Sequence, residues 1–568
     1  MLRSMKKSLS FLRFILLSIV IQGSLTSFGF EVGGINYRDN NNGTATVTGA
    51  KQDIGDIYIP STVTYTYTYT DYSTNPPTTA TATKTCTVTS IGEYAFNRRQ
   101  DVTSVNTGPT VKTIERCAFQ QCSNMKTVTI GPSVTYIGEW AFNMCGSMSN
   151  LSLGSSLVTI DAVAFGHNGS LVDVNIPNSV ITIGNSAFVD CPNLTNIVIP
   201  NSVETIGNSA FGQCGSLSNI NIPNSVTSIG SGAFSGSGLT SLVIPNSVIS
   251  LGDAVCSDCN NLTTVTIGNA VESIGYNAFF SCDNLTDITI GESVTSIGNR
   301  AFENCEKLSS IRIPNSVKTI GSRAFIHCHA MKSIDMGSSV ESIGNDAFYM
   351  CYQVSYLNIH DIRKWCEINF ADIHANPLFY PKKFHLNGVL INDVVIHQGT
   401  SAIKAYAFYE CNNLTSVFIP NSVTTIGKDS FCNCPNLKTV TLGNSVTTIA
   451  EWAFISCNNL TSVTCKATVP PSAISSSFSC YNQATLSVPK ASIETYQTTT
   501  PWSSFKTIVG CLFGDVDGDG RVSIDDLTEL INLLLTNGEA DDVADVDGEG
   551  RVSIDDVAAL INILLNSH

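Results

Sequence analysis

A phenylalanine returns every 23 residues along much of this chain, at Phe96, Phe119, Phe142, Phe165, Phe188, Phe211 and Phe234. After a one-residue slip the column continues at Cys256, Phe279, Phe302, Phe325 and Phe348. It resumes beyond an insertion at Phe408, Phe431 and Phe454. One regular unit reads CPNLTNIVIPNSVETIGNSAF (191–211), and IPNSV alone occurs six times. A fixed period of this length marks a solenoid, in which each unit is too small to bury its own apolar face and depends on stacked neighbours. Within the unit, the V-x-I stretch predicts a strand, ended where Pro removes a donor from the ladder. The I-G-x-x-A-F stretch then turns the chain back and sends its Phe inward.

Twelve of the twenty cysteines fall three residues after the Phe position, from Cys122 and Cys145 to Cys434 and Cys457. Such a count in an exported chain invites a disulfide framework. One cysteine per rung in a single column instead places parallel side chains in equivalent pockets, which predicts buried thiols with occasional cross-links between rungs. The residue between the two inward strand positions should face outward: Thr129, Ser152, Asn175, Val198 and Asn221 are examples, with Arg312 and Asp335 as a charged spot and Phe418 as an exposed anchor. Two readings of this face stay open. It is a recognition surface rich in hydroxyls and amides, or a ladder chosen for β-propensity and solubility.

Residues 1–27 read as a signal peptide, with Arg3, Lys6, Lys7 and Arg13 followed by FILLSIVIQGSL. This predicts a secreted or cell-surface protein, and no later run is apolar enough for a transmembrane anchor. Residues 28–90, with the strict alternation TVTYTYTYTDY, form an N-terminal cap, and 91–463 are the repeats. Residues 464–510 form a C-terminal cap in which Trp502 and Phe505 shield the last rung, and 511–568 are a separate tail. An irregular insertion at about 355–400 predicts a helix-and-loop bulge or an enlarged coil. It holds His360, Asp361, Trp365, Cys366, Glu367, Asp372, His374, His385 and His397, whose spacing fits no standard metal or catalytic motif. These residues are read as structural.

The tail carries its own repeat, DVDGDGRVSIDD (515–526) and DVDGEGRVSIDD (545–556), each followed by an apolar helical run. A calcium loop presents oxygens at positions 1, 3, 5, 7, 9 and 12 around a Gly at 6. The first copy supplies Asp515, Asp517, Asp519, the Arg521 carbonyl, Ser523 and Asp526, with Gly520 at the turn. The second supplies Asp545, Asp547, Glu549, the Arg551 carbonyl, Ser553 and Asp556, with Gly550 at the turn. Two calcium sites are therefore expected, and the longer Glu549 makes the second the weaker. Net charge is −16, of which −12 falls in residues 513–568. The acidity thus belongs to the tail, where divalent ions neutralise it, and without a basic patch nucleic acid is excluded as a partner.

The repeats over about 91–463 resemble the BspA-type leucine-rich repeat family of bacterial surface and secreted proteins. The paired loops resemble a type I dockerin, because both end in Asp instead of Glu and each is followed by a single helix. The resemblance implies an α/β leucine-rich-repeat solenoid joined to a small all-α, calcium-folded module that plugs into a cohesin-like scaffold protein. In dockerins loop positions 10 and 11 help choose the cohesin. Here they are Ile524, Asp525, Ile554 and Asp555, in place of the common small hydroxyl pair. The recurrence of Arg-Val-Ser-Ile-Asp-Asp offers a partner two equivalent faces.

The expected function is that of an exported, non-catalytic binding or adhesion protein. Its solenoid meets an unknown protein or glycan, and its tail docks calcium-dependently to the scaffold. Two alternatives stand beside it. One is a component of a polysaccharide-degrading, cellulosome-like complex, which rests on analogy alone. The other is a surface adhesin whose tail is only a calcium-stabilised cap or sorting element.

Overall fold

The 23-residue period becomes a hydrogen-bond register. In the computed structural model, which describes residues 29–380, 383–516, 521–536, 544–547 and 552–566, Thr159 pairs in parallel with Tyr136 before it and Thr182 after it. The signal peptide expected at 1–27 lies outside the described residues. Each regular coil contributes two short strands where the sequence predicts one. The first is the expected stretch, as at Thr127–Thr129, and the second is the β-branched pair before the Gly, as at Thr182–Ile183. That second pair has a free N–H and C=O on each side, and stacking satisfies them. The Gly that follows permits the approach, since a Cβ on Gly207 would lie 2.6 Å from the Gly184 carbonyl carbon and the Asn185 nitrogen.

The chain divides into two units, residues 1–261 and 262–568. Among its described residues, the first unit opens with an antiparallel hairpin, Gly29–Val32 with Ile35–Asp39. A long hairpin follows, Thr62–Asp71 with Thr78–Ile91. Buried Asp39 ties the two together by accepting from the Tyr65 hydroxyl and the Lys84 ammonium, each at 2.5 Å. Thr78–Ile91 then pairs in parallel with Thr113–Ile114 and starts the coils. The one-residue slip in the Phe column appears as Ser228 pairing with Ser250.

In the second unit the 355–400 insertion resolves as an enlarged coil. Asn369 takes the place beside Ser342, and Phe384 the place beside Leu357, so both ladders reach into it, and new sheets begin beyond it at Asp393–Val395 and Ala402–Ile403. The extra length forms the short Ile362–Cys366 helix, capped by Asp361, and buries Trp365, whose Nε1 donates to the Ala407 carbonyl. The parallel stack continues past residue 464, with Ser462–Cys465, Thr485–Pro489 and Thr507–Cys511 side by side. Phe478 extends the ring column, and Trp502 and Phe505 pack against it.

Inside the coils, neighbouring Phe rings stack with planes within about 10° and centroids 4.9–5.9 Å apart. The turn around each Phe places the residues two before and two after it at positive φ, as at Trp140 and Met144 or Val163 and His167. Only Gly232 and Gly236 supply glycine there, so most coils hold L side chains in the left-handed region against its steric cost. Backbone bonds between coils hold that turn, for example Phe142 N–H to the Ala164 carbonyl at 2.8 Å.

The cysteine column is buried and does more than fill space. Cys122, Cys145, Cys305 and Cys434 each direct Sγ at the carbonyl of the Phe one coil back, at 3.1–3.3 Å. Asn168 replaces a cysteine and donates to the Phe142 carbonyl in the same way. The IPNSV serine has a matching role: Ser202 and Ser225 donate to the Val180 and Val203 carbonyls of the preceding coil. Eighteen cysteines are free thiols, and one disulfide joins Cys256 to Cys259. The expected cross-links between rungs are thus replaced by one within a rung, where Cys256 stands at the Phe position and faces the column cysteine three residues on.

Phe302 is fully buried between Phe279 and Phe325. Phe302→Ala should cost about 3–5 kcal/mol, read by denaturant unfolding, with the loss concentrated in adjoining coils because each touches only its neighbours. A loss below about 0.5 kcal/mol, the range of surface substitutions, would contradict the inward column.

Burial pushes the thiols of Cys122, Cys214 and Cys411 up to about 12. The native protein should therefore resist alkylation at pH 8, whereas the denatured, unreduced protein should yield about 18 reactive thiols. Above the ordinary thiol value of 9.0 the unfolded chain loses protons that the folded chain keeps. Stability should accordingly fall as pH rises from about 9 towards 12.

Candidate metal centre

The tail's two helices, Ile524–Thr536 and Ile554–Asn566, pack through Leu530, Ala544, Val557 and Leu560. Partly buried Val516, Val522 and Leu534 are matched 30 residues on by Val546, Val552 and Leu564, so the core repeats the sequence repeat. Four buried apolar groups among the described residues make a very small core, and a domain of this size generally needs a further staple.

The loops supply one. Asp526 is buried and its two oxygens accept from the Val516 N–H at 2.6 Å and the Ser523 N–H at 2.5 Å. Asp556 does the same with the Asp547 N–H at 3.0 Å and the Ser553 N–H at 2.6 Å. The last position of each loop therefore folds back on its start. Ser523 and Ser553 accept from the N–H groups of Asp525 and Asp555 and so cap their helices, a structural role beside the ligand role expected of them.

In the second loop the carboxylates of Asp545, Asp547 and Asp556 converge, with one oxygen of each lying within 4.8 Å of the others. Asp545 and Asp556 are buried. Buried like charges at this separation repel, and a shared cation relieves the repulsion. Three converging hard oxygen donors are the chemistry that suits calcium, so the residues present fit the ion. In the first loop Asp515, Arg521, Ser523 and Asp526 are placed by the structure. Asp517, Asp519, Gly520, Glu549, Gly550 and Arg551 lie outside the described residues.

The proposed partner positions are prominent. Ile524 is 69% and Ile554 72% exposed, and Asp525 and Asp555 are also exposed. On the solenoid, Val198 and Val243 face water as expected. Phe418 does not: it is buried, as are Thr441 and Thr464 beside it. The expectation of an exposed Phe418 fails because the Lys466 ammonium sits 5.4 Å over its ring. Asp335 is tied to Asn358 at 2.7 Å and to His360 at 2.9 Å, and Arg312 to Glu292. In the enlarged coil Asp346, Asp372 and His374 also come together, but Asp372 is engaged by the N–H groups of Ala375 and Asp346 as a helix cap. Sequence reasoning missed Lys466 and Asn421, which touch the second loop. The available signal was that Lys466 stands where Gly443 and Pro420 stand one and two periods earlier.

Stacked 23-residue coils followed by a twin-loop helical module define a leucine-rich-repeat protein with a docking tail. The model for the BspA type leucine rich repeat region matches residues 70–195, 181–309, 250–376 and 379–500, and that for the dockerin type I domain matches 513–565. The chain belongs to the BspA-type leucine-rich repeat family and ends in a type I dockerin domain. Both are non-catalytic modules, and type I dockerin domains bind calcium and cohesin-type partners. No curated protein matches the chain.

Among solved structures, a leucine-rich repeat protein from Bacteroides ovatus is 27% identical, with 58% of this chain and 94% of that one covered and a TM-score of 0.39. A leucine rich cell surface protein from Faecalibacterium prausnitzii is 22% identical, covering 78% and 95% with a TM-score of 0.39. The pneumococcal vaccine antigen PcpA is 18% identical, covering 86% and 100% with a TM-score of 0.31. No helix among the described residues is long and apolar enough to cross a membrane.

Ion and fold should be coupled in the tail. In the full chain, chelator should speed hydrogen exchange in both tail helices and leave the Phe-column coils unchanged. Asp526→Ala with Asp556→Ala should abolish the difference. Each site at a hundredfold excess of ion over Kd adds about 2.7 kcal/mol. Equal protection with and without calcium in the unaltered protein would refute the coupling.

Proposed function

We propose that this chain is an exported, non-catalytic binding protein whose solenoid presents a recognition surface and whose tail docks it to a cohesin-like scaffold. The tail's two loops would hold calcium. Bound calcium would neutralise the loop carboxylates and keep the small helical core together. Asp526 and Asp556 close the loops, Ser523 and Ser553 start the helices, and Ile524 and Ile554 are thereby presented to solvent. The observation that carries this reading is that exposed pair. Large apolar side chains stand in water at equivalent places on the two halves of the module, Ile524 and Ile554 at the helix starts and Leu535 and Leu565 near the helix ends. Such patches mark association surfaces.

The solenoid supports a binding role through Asp335, Asn358 and His360 beside Arg312 and Glu292, a polar cluster standing on the strand face. Secretion or surface display follows from the signal-like residues 1–27. The reading of the tail as a cap draws support from the Lys466 contact with Asp545, but a pure cap has no use for exposed Ile524 and Ile554.

The test is calorimetric binding of the full chain to a panel of cohesin domains, with calcium and with chelator. Binding should require calcium. Ile524→Ala with Ile554→Ala should weaken it by about 2 kcal/mol or more, roughly 30-fold, as truncation of interface anchors does. Unchanged affinity in that double variant, or binding that survives chelator, would defeat the docking role and leave the cap.

A further inference from the structure

Lys466 breaks a column. One and two coils earlier its place is taken by Gly443 and Pro420, and further back by Gly337 and Pro314. Between them the insertion places His360 and His397 in this column. Gly and Pro suit a strand exit where regular coils press together, since a Cβ on Gly443 would lie 2.4 Å from the Pro420 carbonyl oxygen. Lys466 puts a long cation there instead, and only 7% of its side chain is exposed. The ammonium donates to the Asp545 carbonyl at 2.9 Å and to its Oδ2 at 3.0 Å. It also lies 5.4 Å from the Phe418 ring centroid and 5.6 Å from that of Phe513, within cation–π range. A second bond arrives separately: Asn421 Nδ2 donates to the Asp547 carbonyl at 2.8 Å. Asn421 is the Asn of the IPNSV motif at 419–423, and its Oδ1 accepts from the Asn444 N–H of the following coil. The repeat thus leaves its amide nitrogen pointing outward, and here the tail takes it.

We propose that Lys466, Asn421 and Phe418 form a seat on the solenoid for the tail's second loop. The Lys466 charge at Asp545 fixes the orientation of the tail and makes that loop the weaker of two calcium sites. The inference rests on the reading that the loops take calcium. Its physical basis is direct. Asp545 is the first-position ligand, and a buried ammonium 3.0 Å from its carboxylate repels a divalent ion bound to the same group. A buried pair of this kind is best suited to fixing register, because breaking it strands a charge. The seat also breaks the equivalence of the two loops that the sequence repeat suggests. Ile524 and Ile554 both stay exposed, so the tail is held by a loop and not by its docking positions.

The test uses the full chain and two measurements. Lys466→Met keeps the side-chain stem and removes the charge, while Lys466→Arg keeps the charge. Calcium titration by calorimetry should show two sites of unequal strength in the unaltered chain and in Lys466→Arg. In Lys466→Met the weaker site should tighten about tenfold, with the stronger one unchanged. Hydroxyl-radical footprinting reads side-chain exposure directly. Phe418 should be oxidised about fivefold faster in Lys466→Met with Asn421→Ala, and Phe302 should stay unreactive, as side chains still packed in a coil interior do. Identical isotherms in Lys466→Met and the unaltered chain, or Phe418 equally protected in the double variant, would overturn the seat alone. An unaltered chain that takes up no calcium would overturn the functional reading beneath it.

Discussion

The coils of the solenoid are joined by hydrogen bonds from each coil to the next, and the rest of the molecule depends on that constraint. Strand amides, turn amides, the Ser202 hydroxyl and the Cys122 thiol all bond across the same step of about 23 residues. A coil standing alone would leave them unsatisfied, which is costly in an interior. The period is therefore kept wherever the stack is regular. It is relaxed at the slip to Ser250 and in the 27-residue step from Ser342 to Asn369, where a parallel strand pair still forms across the altered step. The enlarged coil shows what the constraint leaves free: length can be added between the ladder positions, and Trp365 and Phe384 fill the space it opens.

The tail follows a different logic. Its apolar core is small and its charge is strongly negative, so cohesion comes from carboxylates that close on backbone N–H groups and converge on a common point. The same carboxylates that oppose folding when bare become the fold's staple once neutralised. Lys466 supplies one positive charge to this cluster from the solenoid. The tail is thereby connected to the coils by side chains as well as by the short link after Cys511.

The polar surface around Asp335 has a related origin. Regular coils present Thr, Asn and Val outward, and such positions carry little information. The enlarged coil brings His360 and Asn387 over the strand face, where His360 bridges the Asp335 carboxylate and the Asn387 amide. A departure from the period thus coincides with the densest polar cluster on that face, as expected when loops carry recognition and the scaffold carries stability.

The sequence by itself determined the coil, its Phe interior and the regular cysteine column, and it marked the twin loops of the tail as candidates for an ion. Each of these repeats at a fixed spacing, and a local pattern that recurs can be read without knowing what lies opposite. Sequence reasoning placed Asp526, Asp556, Ser523 and Ser553 as ion ligands, not as loop closers and helix caps, because a ligand uses the same oxygen that accepts from a backbone N–H. Only the tertiary structure decided the second strand of each coil, the left-handed turn around the Phe, the thiol-to-carbonyl bonds, the Cys256–Cys259 disulfide and the burial of Phe418. It alone joined Lys466 to Asp545, a pair 79 residues apart. Periodicity specifies contacts between equivalent positions. The meeting of two different modules has no period, and it is set by which surfaces fit once each has folded.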